Sequence, residues 1–169
     1  MSVSNVMMIC DLPFKFVQEL EPKRDSEGSI IQTVYDFTGE PRELHYYGKG
    51  PFCKFDISKE WINRVGVYVL HDNEKPLYVG ECIDFYGRYG SAQYGSIGRS
   101  KCYKGRQPTN CKINSMVLWQ YLNGNKVFLY FHETDNRKNI ENILERKLNP
   151  PFNGTPSPKL LKQIWGVTI

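Results

Sequence analysis

The sequence lacks any long apolar run, and none of its segments approaches the roughly 18 residues that a transmembrane helix needs. Its N-terminus, MSVSNVMMICDLPF, has no basic start followed by an apolar stretch, so we expect no secretory leader. These absences predict a cytoplasmic protein with no membrane partner. A chain of 169 residues, 40% of them hydrophobic, is long enough to bury a core in one compact domain with an added arm.

Ordered cysteine spacings are also missing. The five cysteines are an odd number and include no CxxC pair, so neither a disulfide framework nor a zinc knuckle is indicated. Cys102, Cys111 and His132 are a conceivable zinc set, but a tetrahedral structural site needs a fourth ligand. Reduced, partly buried thiols are the favoured interpretation.

Acidic residues are absent from the 48 residues 85–132, although residues 1–84 carry a net charge of −5. The acid-free stretch has a net charge of +7, and tyrosines are interleaved with its cations. This mixture is typical of surfaces that hold phosphates and stack on bases. The alternative is a solvated surface with some core tyrosines. The basic residues are Arg88, Arg99, Lys101, Lys104, Arg106, Lys112 and Lys126.

The pattern of apolar and turn residues predicts an α+β fold. We expect a small three-stranded antiparallel sheet flanked by helices, preceded by a β-leaning N-terminal arm over residues 1–60 that serves recognition or dimerisation. Within that arm, residues 29–37 and 43–47 are rich in β-branched and aromatic residues. The remaining residues, 61–169, form the second predicted region, with a basic loop inserted at 94–114. Its predicted strands are 66–71, 77–79 and 126–132, and its predicted helices are 83–89, 111–122, 136–148 and 158–165.

Two tripeptides carry the chemistry. Gly66-Val67-Tyr68 is followed by Tyr78-Val79-Gly80, with Arg88 and Glu141 further along the chain. Together they supply two phenols, a guanidinium and a carboxylate, which are groups able to cut a phosphodiester with one metal ion. Taken singly, the tyrosines are equally consistent with half-buried strand residues, and the charges with an ordinary surface ion pair.

These residues, in this order over this pattern of elements, resemble the GIY-YIG nuclease family across roughly residues 64–155. The resemblance aligns Arg88 with the arginine of the family's first helix and Asn153 with its terminal asparagine. It aligns Glu141 with the metal-binding glutamate, and Glu145, one turn later, is the competing choice. The family often has His or Tyr one turn after the arginine, where this chain has Ala92. Tyr94 or Tyr89 are the candidates to replace it.

The resemblance implies a role for each residue. Glu141 would hold Mg²⁺, with Mn²⁺ as a substitute, and Arg88 would bind the scissile phosphate. Tyr68 is the candidate general base, and Tyr78 would hydrogen-bond the phosphate or a water molecule. Three further residues have structural roles near the site: Gly66 and Gly80 would allow close backbone approach, and Asn153 would order the loop after the last family helix.

The sequence therefore predicts a metal-dependent DNA endonuclease that is sequence-specific and of the restriction type. The alternatives are a catalytically silent DNA-binding module, a repair-type structure-specific nuclease, and a protein-interaction domain without a nucleic-acid partner. Many restriction-type enzymes cut as dimers, so a homodimer is one expectation. The predicted DNA contacts are Arg99, Lys101, Lys104, Arg106 and Lys112.

Overall fold

The computed structural model describes residues 5–90 and 93–169. In this part of the chain the fold is α+β, with one antiparallel sheet and four α-helices. The strands are β1 (Val6–Ile9), β2 (Leu12–Glu19), β3 (Gly66–His71), β4 (Pro76–Cys82) and β5 (Phe128–Glu133). They lie in the order β1-β2-β5-β3-β4, so the sheet has five strands and the prediction of three was wrong.

The two additional strands come from residues that the sequence did not identify as strand-forming. β1 and β2 form a hairpin in which Ile9 pairs with Leu12, and β2 continues the sheet by pairing with β5. The connecting residues Cys10 and Asp11 both have positive φ, 49° and 65°. Tight hairpin turns of this kind normally use Asn-Gly or Asp-Gly, so the usual sequence signal for the turn is missing.

The two β-leaning runs at 29–37 and 43–47 form no strand of the sheet. Residues 29–37 form only isolated bridges, and the second segment leads into a 3₁₀ helix at Tyr46–Lys49. Side-chain oxygens accept hydrogen bonds from nearby backbone N–H groups in this region. The Asp25 carboxylate accepts from the backbone N–H groups of Glu27 and Ser29, each at 2.9 Å. Such local bonds offer the backbone an alternative to a strand ladder.

The four α-helices are α1 (Phe85–Tyr89), α2 (Pro108–Leu122), α3 (Arg137–Leu148) and α4 (Pro158–Trp165). All four were predicted, and their ends differ by at most a few residues. The largest difference is at α2, which begins at Pro108 because proline suits the first turn of a helix, where its missing N–H is no loss. None of the helices in the described residues is both long and apolar enough to cross a membrane.

The described chain divides into two compact units. The first contains the whole sheet and α3, within Met1–Leu20, Ile57–Arg88 and Asn125–Thr155. The second contains α2 and α4, within Glu21–Asp56, Tyr89–Gly124 and Pro156–Ile169. The sequence had suggested one boundary near residue 60, whereas each compact unit collects three separate stretches of chain.

The core of the first unit lies on the face of the sheet that α3 covers. Val67, Val69 and Val79 point to this side and pack with Leu144 of α3. All four are essentially inaccessible to solvent. Alternating valines on adjacent strands therefore bury one face of the sheet, and the residues between them occupy the opposite face.

The second unit is organised around α2. Its residues 110–118 are all buried, including polar ones such as Asn114. The Asn114 amide donates to the carbonyl oxygens of Cys53 and Tyr94 at 2.9 and 2.7 Å, and its oxygen accepts from the Cys53 N–H at 2.9 Å. A buried polar side chain with its bonds satisfied stabilises the surrounding loops. All five cysteines of the chain are free thiols.

Candidate active site

The two tyrosine-glycine tripeptides form a single hairpin. In the pairing of β3 with β4, Tyr68 lies opposite Gly80 and Leu70 lies opposite Tyr78. Residues two apart on a strand share a face, so both tyrosines point to the side of the sheet away from Val67 and Val69. Their ring centroids are 6.3 Å apart. The structure therefore brings the two predicted phenols together.

The glycines of the tripeptides make room for aromatic rings. A β-carbon on Gly80 would lie 2.3 Å from the hydroxyl oxygen of Tyr68, closer than real structures allow. A β-carbon on Gly66 would lie 2.2 Å from the carbonyl oxygen of His132 and 2.8 Å from the ring of Phe131. Both glycines are thus required by close packing within the sheet.

The Tyr68 ring is packed among other aromatic rings. It stacks on Phe85 with centroids 5.9 Å apart, and Phe85 in turn stacks on Phe131 at 4.2 Å. The exposed fraction is 1% for Tyr68 and 8% for Tyr78. Of the two phenols, Tyr78 is therefore the more accessible to a ligand.

Glu141 lies in an electrostatically unfavourable position on α3. Burial raises the pKa of its carboxyl group to about 7, and the negative charges of Glu81 and Glu145 act in the same direction. The positive charges of Arg88 and Arg137 oppose this shift. Arg88 and Glu141, which are 53 positions apart in the sequence, are therefore close enough for their charges to interact.

The three carboxylates differ in their partners. Glu81 forms an ion pair with Arg137, and Glu145 accepts a hydrogen bond of 2.8 Å from Asn153. Across residues 5–90 and 93–169, the Glu141 carboxylate has neither a hydrogen-bond donor nor a salt-bridge partner within reach. A half-buried carboxylate that is repelled by its neighbours is favourable for a cation, because a bound cation would relieve the repulsion.

Asn153 connects the end of α3 to β4. Its amide donates to the Val79 carbonyl oxygen at 2.8 Å, and its oxygen accepts from the Val79 N–H at the same distance. With the bond to Glu145, all three contacts tie backbone or side chains of the first unit together. These contacts tie the segment after α3 to β4 and to α3 itself.

The donor set around Glu141 suits a hard divalent cation with few protein ligands. The described residues contain no group of three or more His, Cys, Asp or Glu side chains placed to hold a metal ion together. Mg²⁺ is commonly bound through one or two carboxylates, with water and substrate phosphates completing its shell. Glu141 is the residue that fits this pattern, and Glu145 is less suited because it already accepts from Asn153.

Five cations of the basic stretch lie in the second unit: Arg99, Lys101, Lys104, Arg106 and Lys112. Two of these five, Arg99 and Lys104, form salt bridges with acidic residues. Arg99 contacts Glu40 at 3.4 Å and the Asp36 carbonyl oxygen at 3.1 Å. Lys104 pairs with Glu43. The net charge of +7 in the sequence therefore overstates the charge available to phosphates, because acidic residues from 36–43 neutralise part of it.

The other three predicted DNA contacts differ from one another. Lys112 is 5% exposed, and its ammonium lies 5.6 Å from the ring centroid of Tyr47, so it is not presented at the surface. Lys101 is half-buried and Arg106 is exposed. Neither has a carboxylate within salt-bridge range in the part of the chain that the structure describes. Lys101 and Arg106 are therefore the cations most available to phosphate.

Sequence reasoning missed Glu81 and Arg137. Glu81 directly follows Gly80, and Arg137 lies one helical turn before Glu141, so both positions carried a signal in their spacing from predicted residues. Ala92 lies outside the described residues. The two candidates to replace it, Tyr89 and Tyr94, are both buried in the second unit with their rings 5.3 Å apart.

Comparisons with known proteins identify no relative. No protein-family model, no curated protein and no solved structure matches the chain.

Proposed function

We propose that this protein is a metal-dependent DNA endonuclease of the GIY-YIG type, with restriction-type sequence specificity. The proposal rests on one observation above others: the half-buried carboxylate of Glu141, unpaired among the described residues, interacts electrostatically with Arg88. The same compact unit contains the adjacent phenols of Tyr68 and Tyr78. A phosphodiester-cleaving site needs a cation ligand, a phosphate-binding cation and a proton acceptor, and these residues supply all three.

Glu141 would hold Mg²⁺ through its carboxylate. When bound, Mg²⁺ supplies charge neutralisation at the phosphoryl oxygens and lowers the pKa of coordinated water. Arg88 binds the phosphate through charge-assisted hydrogen bonds, for which a guanidinium is well suited because it offers two parallel donors. Its positive charge also favours the ionised form of Glu141, which is the form that binds a cation.

The two phenols have separate roles in the proposal. Tyr78, the more accessible of the two, donates a hydrogen bond to a phosphate oxygen. Tyr68 accepts the proton of the attacking water. A phenol has an ordinary pKa near 10, so this role requires nearby positive charge to stabilise the phenolate. Gly80 makes room for the Tyr68 hydroxyl, because a β-carbon at this position would lie 2.3 Å from the hydroxyl oxygen.

Binding of DNA involves the basic stretch of the second unit in this proposal. Among the predicted DNA contacts, Lys101 and Arg106 are the accessible cations with no carboxylate in salt-bridge range in the described chain, so they are the proposed phosphate contacts. Arg99 and Lys104 hold the segment to Glu40 and Glu43. Lys112 is omitted from the interface because it is buried.

The test is cleavage of a mixed panel of plasmid and phage DNA, with Mg²⁺ or with EDTA. Wild type is compared with Glu141→Ala and with Glu74→Ala, which removes an exposed carboxylate from the turn between β3 and β4. Discrete fragments that need Mg²⁺, vanish in Glu141→Ala and persist in Glu74→Ala are the expected result. DNA binding without cleavage under any divalent cation would contradict the enzyme and favour a DNA-binding module.

A further inference from the structure

The first unit contains a cavity that the proposed cleavage chemistry does not use. Its volume is about 540 Å³, which is within the range of small-ligand pockets. Residues from β2, from the end of β5 and from the segment before β3 line it. Four of its lining side chains carry the argument: Lys15, Trp61, Arg64 and His132.

The apolar wall of the cavity is a rigid aromatic surface. Trp61 is 5% exposed, and the rings of Phe85 and Phe131 hold it edge to face, with centroids 5.5 and 5.6 Å away. Phe16 and Phe131 also line the cavity. An ordered indole next to further aromatic rings favours a flat, unsaturated ligand, since such rings stack with little loss of conformational entropy.

The charge of the cavity favours an anion. The Lys15 ammonium lies 5.4 Å from the centroid of the Trp61 ring, and the Arg64 guanidinium lies 5.7 Å from it. Arg64 pairs with Glu133 at 2.5 Å, and Glu133 is the only carboxylate among the described lining residues. Lys15 has no carboxylate partner in residues 5–90 and 93–169. One cation is thus neutralised, and the other remains available beside the aromatic ring.

The remaining polar groups suit the edge of a heterocycle. His132 Nδ1 lies 2.9 Å from the Pro13 carbonyl oxygen. Because a carbonyl only accepts, Nδ1 carries the proton in the neutral ring, and Nε2 is left as an acceptor. The indole N–H of Trp61 has no hydrogen-bond partner among the described residues, so it is available as a donor.

We propose that this cavity binds a single nucleotide unit, with its base against Trp61 and its phosphate at Lys15. The ligand chemistry is an aromatic heterocycle joined to a phosphate, and its source is either a free mononucleotide or an unpaired nucleotide of a strand. Phe131 lines the cavity and is also the cross-strand partner of Tyr68. A strand as the source rests on the proposed endonuclease function, whereas recognition of the nucleotide unit does not.

The test measures binding by calorimetry in EDTA, so that no cleavage occurs. The probes are the four deoxynucleoside 5′-monophosphates, with the four matching deoxynucleosides and inorganic phosphate as their separate parts. At least one monophosphate should bind about tenfold more tightly than either part, because only the whole ligand reaches both the ring and the cation. If none of the four monophosphates shows saturable binding, the proposal is overturned.

Two pairs of variants locate the site. Lys15→Gln should weaken binding of the monophosphate about tenfold, since it removes a hydrogen bond to a charged group. Lys75→Gln, which changes an exposed lysine in the turn between β3 and β4, should leave binding unchanged. Arg64→Gln should also weaken binding, because it leaves the negative charge of Glu133 in the cavity lining without its partner. Its control is the exposed Arg146 on α3, changed to Gln. Equal affinities of Lys15→Gln and wild type would place the ligand elsewhere and overturn the assignment.

Competition separates the two sources. An oligonucleotide with one unpaired base should displace the bound monophosphate, and the fully paired duplex of the same sequence should not. Failure of the unpaired oligonucleotide to compete would overturn the strand as the source and leave the free nucleotide. Cleavage of DNA by a protein that binds no mononucleotide would contradict the cavity assignment alone. Nucleotide binding by a protein that never cleaves would contradict the endonuclease alone.

Discussion

The hydroxyl group of Tyr68 lies so close to Gly80 that a β-carbon on the glycine would be 2.3 Å from the hydroxyl oxygen. The two residues are direct cross-strand partners, one from each tripeptide. The tyrosine of the first tripeptide thus needs the glycine of the second. This relationship explains why the two patterns occur together, and it gives a packing reason for them beside the catalytic one.

Gly80→Ala should destabilise the protein by about 1 to 3 kcal/mol, because the new methyl group has to displace the Tyr68 ring. Gly154→Ala is the matched control, since a β-carbon there meets nothing within 4 Å and the backbone needs no positive φ. Urea denaturation of both variants measures the difference. Equal stability of the two would show that the Tyr68 ring moves aside without cost.

Stability should depend on pH through Glu141. Its pKa in the folded protein is about 7, above the ordinary value of 4.5, so the folded state holds the proton more tightly than the unfolded chain. The free energy of unfolding should therefore fall as the pH rises from about 4.5 to 7. Glu141→Gln, which cannot ionise, should lose this dependence and become more stable than wild type above pH 7.

The control for this pH dependence is Glu74→Gln, which changes an exposed carboxylate of the same unit. Thermal unfolding at several pH values in EDTA gives the comparison, and added Mg²⁺ should stabilise wild type more than Glu141→Gln. Identical pH profiles for wild type and Glu141→Gln would mean that Glu141 ionises without penalty, and the argument for a cation site there would fail.

Asn153→Ala should cost about 2 to 4 kcal/mol, because it removes two bonds to Val79 and leaves buried backbone groups unsatisfied. Asn142→Ala, at an exposed position on α3, should change the free energy of unfolding by less than about 0.5 kcal/mol. Urea denaturation distinguishes the two. A similar small effect of both substitutions would contradict the structural role of Asn153.

Neutralising Lys101 and Arg106 together should flatten the salt dependence of DNA binding. For every phosphate that the protein no longer neutralises, the slope of log K against log salt should fall in magnitude by about 0.9 on duplex DNA. Arg99→Gln with Lys104→Gln should change the slope less, since these cations are paired with Glu40 and Glu43. If the Arg99 and Lys104 variant changes the slope more than the Lys101 and Arg106 variant does, then Glu40 and Glu43 do not neutralise Arg99 and Lys104 in solution.

Much of the first unit could be predicted from local patterns. The short apolar run of β3 and the turn at Asp72, whose side chain accepts from two backbone N–H groups, gave clear signals. The hairpin of β1 and β2 gave none, because Cys10 and Asp11 adopt positive φ without a glycine or asparagine. Sequence periodicity does not reveal turns whose strain is compensated by pairing elsewhere in the sheet.

The candidate site was predictable where side chains follow strand geometry. Tyr68, Gly80 and Tyr78 meet because the register of one hairpin fixes them. The ion pair of Glu81 with Arg137 depends on how α3 packs on the sheet, and the burial of Lys112 depends on how α2 packs within the second unit. Sequence spacing alone specifies neither. Charge counting likewise missed that Glu40 and Glu43 neutralise part of the basic stretch.

The most direct test of the account is the Tyr68→Phe variant, because packing and catalysis predict different results for it. The ring that fills the space at Gly80 is kept, and only the hydroxyl is removed. Single-turnover cleavage with Mg²⁺ should slow about 100-fold or more, as expected when a proton acceptor is removed, while the free energy of unfolding changes by about 1 kcal/mol. Cleavage at the wild-type rate would contradict a catalytic Tyr68 and leave the tyrosine-glycine pairing as packing alone.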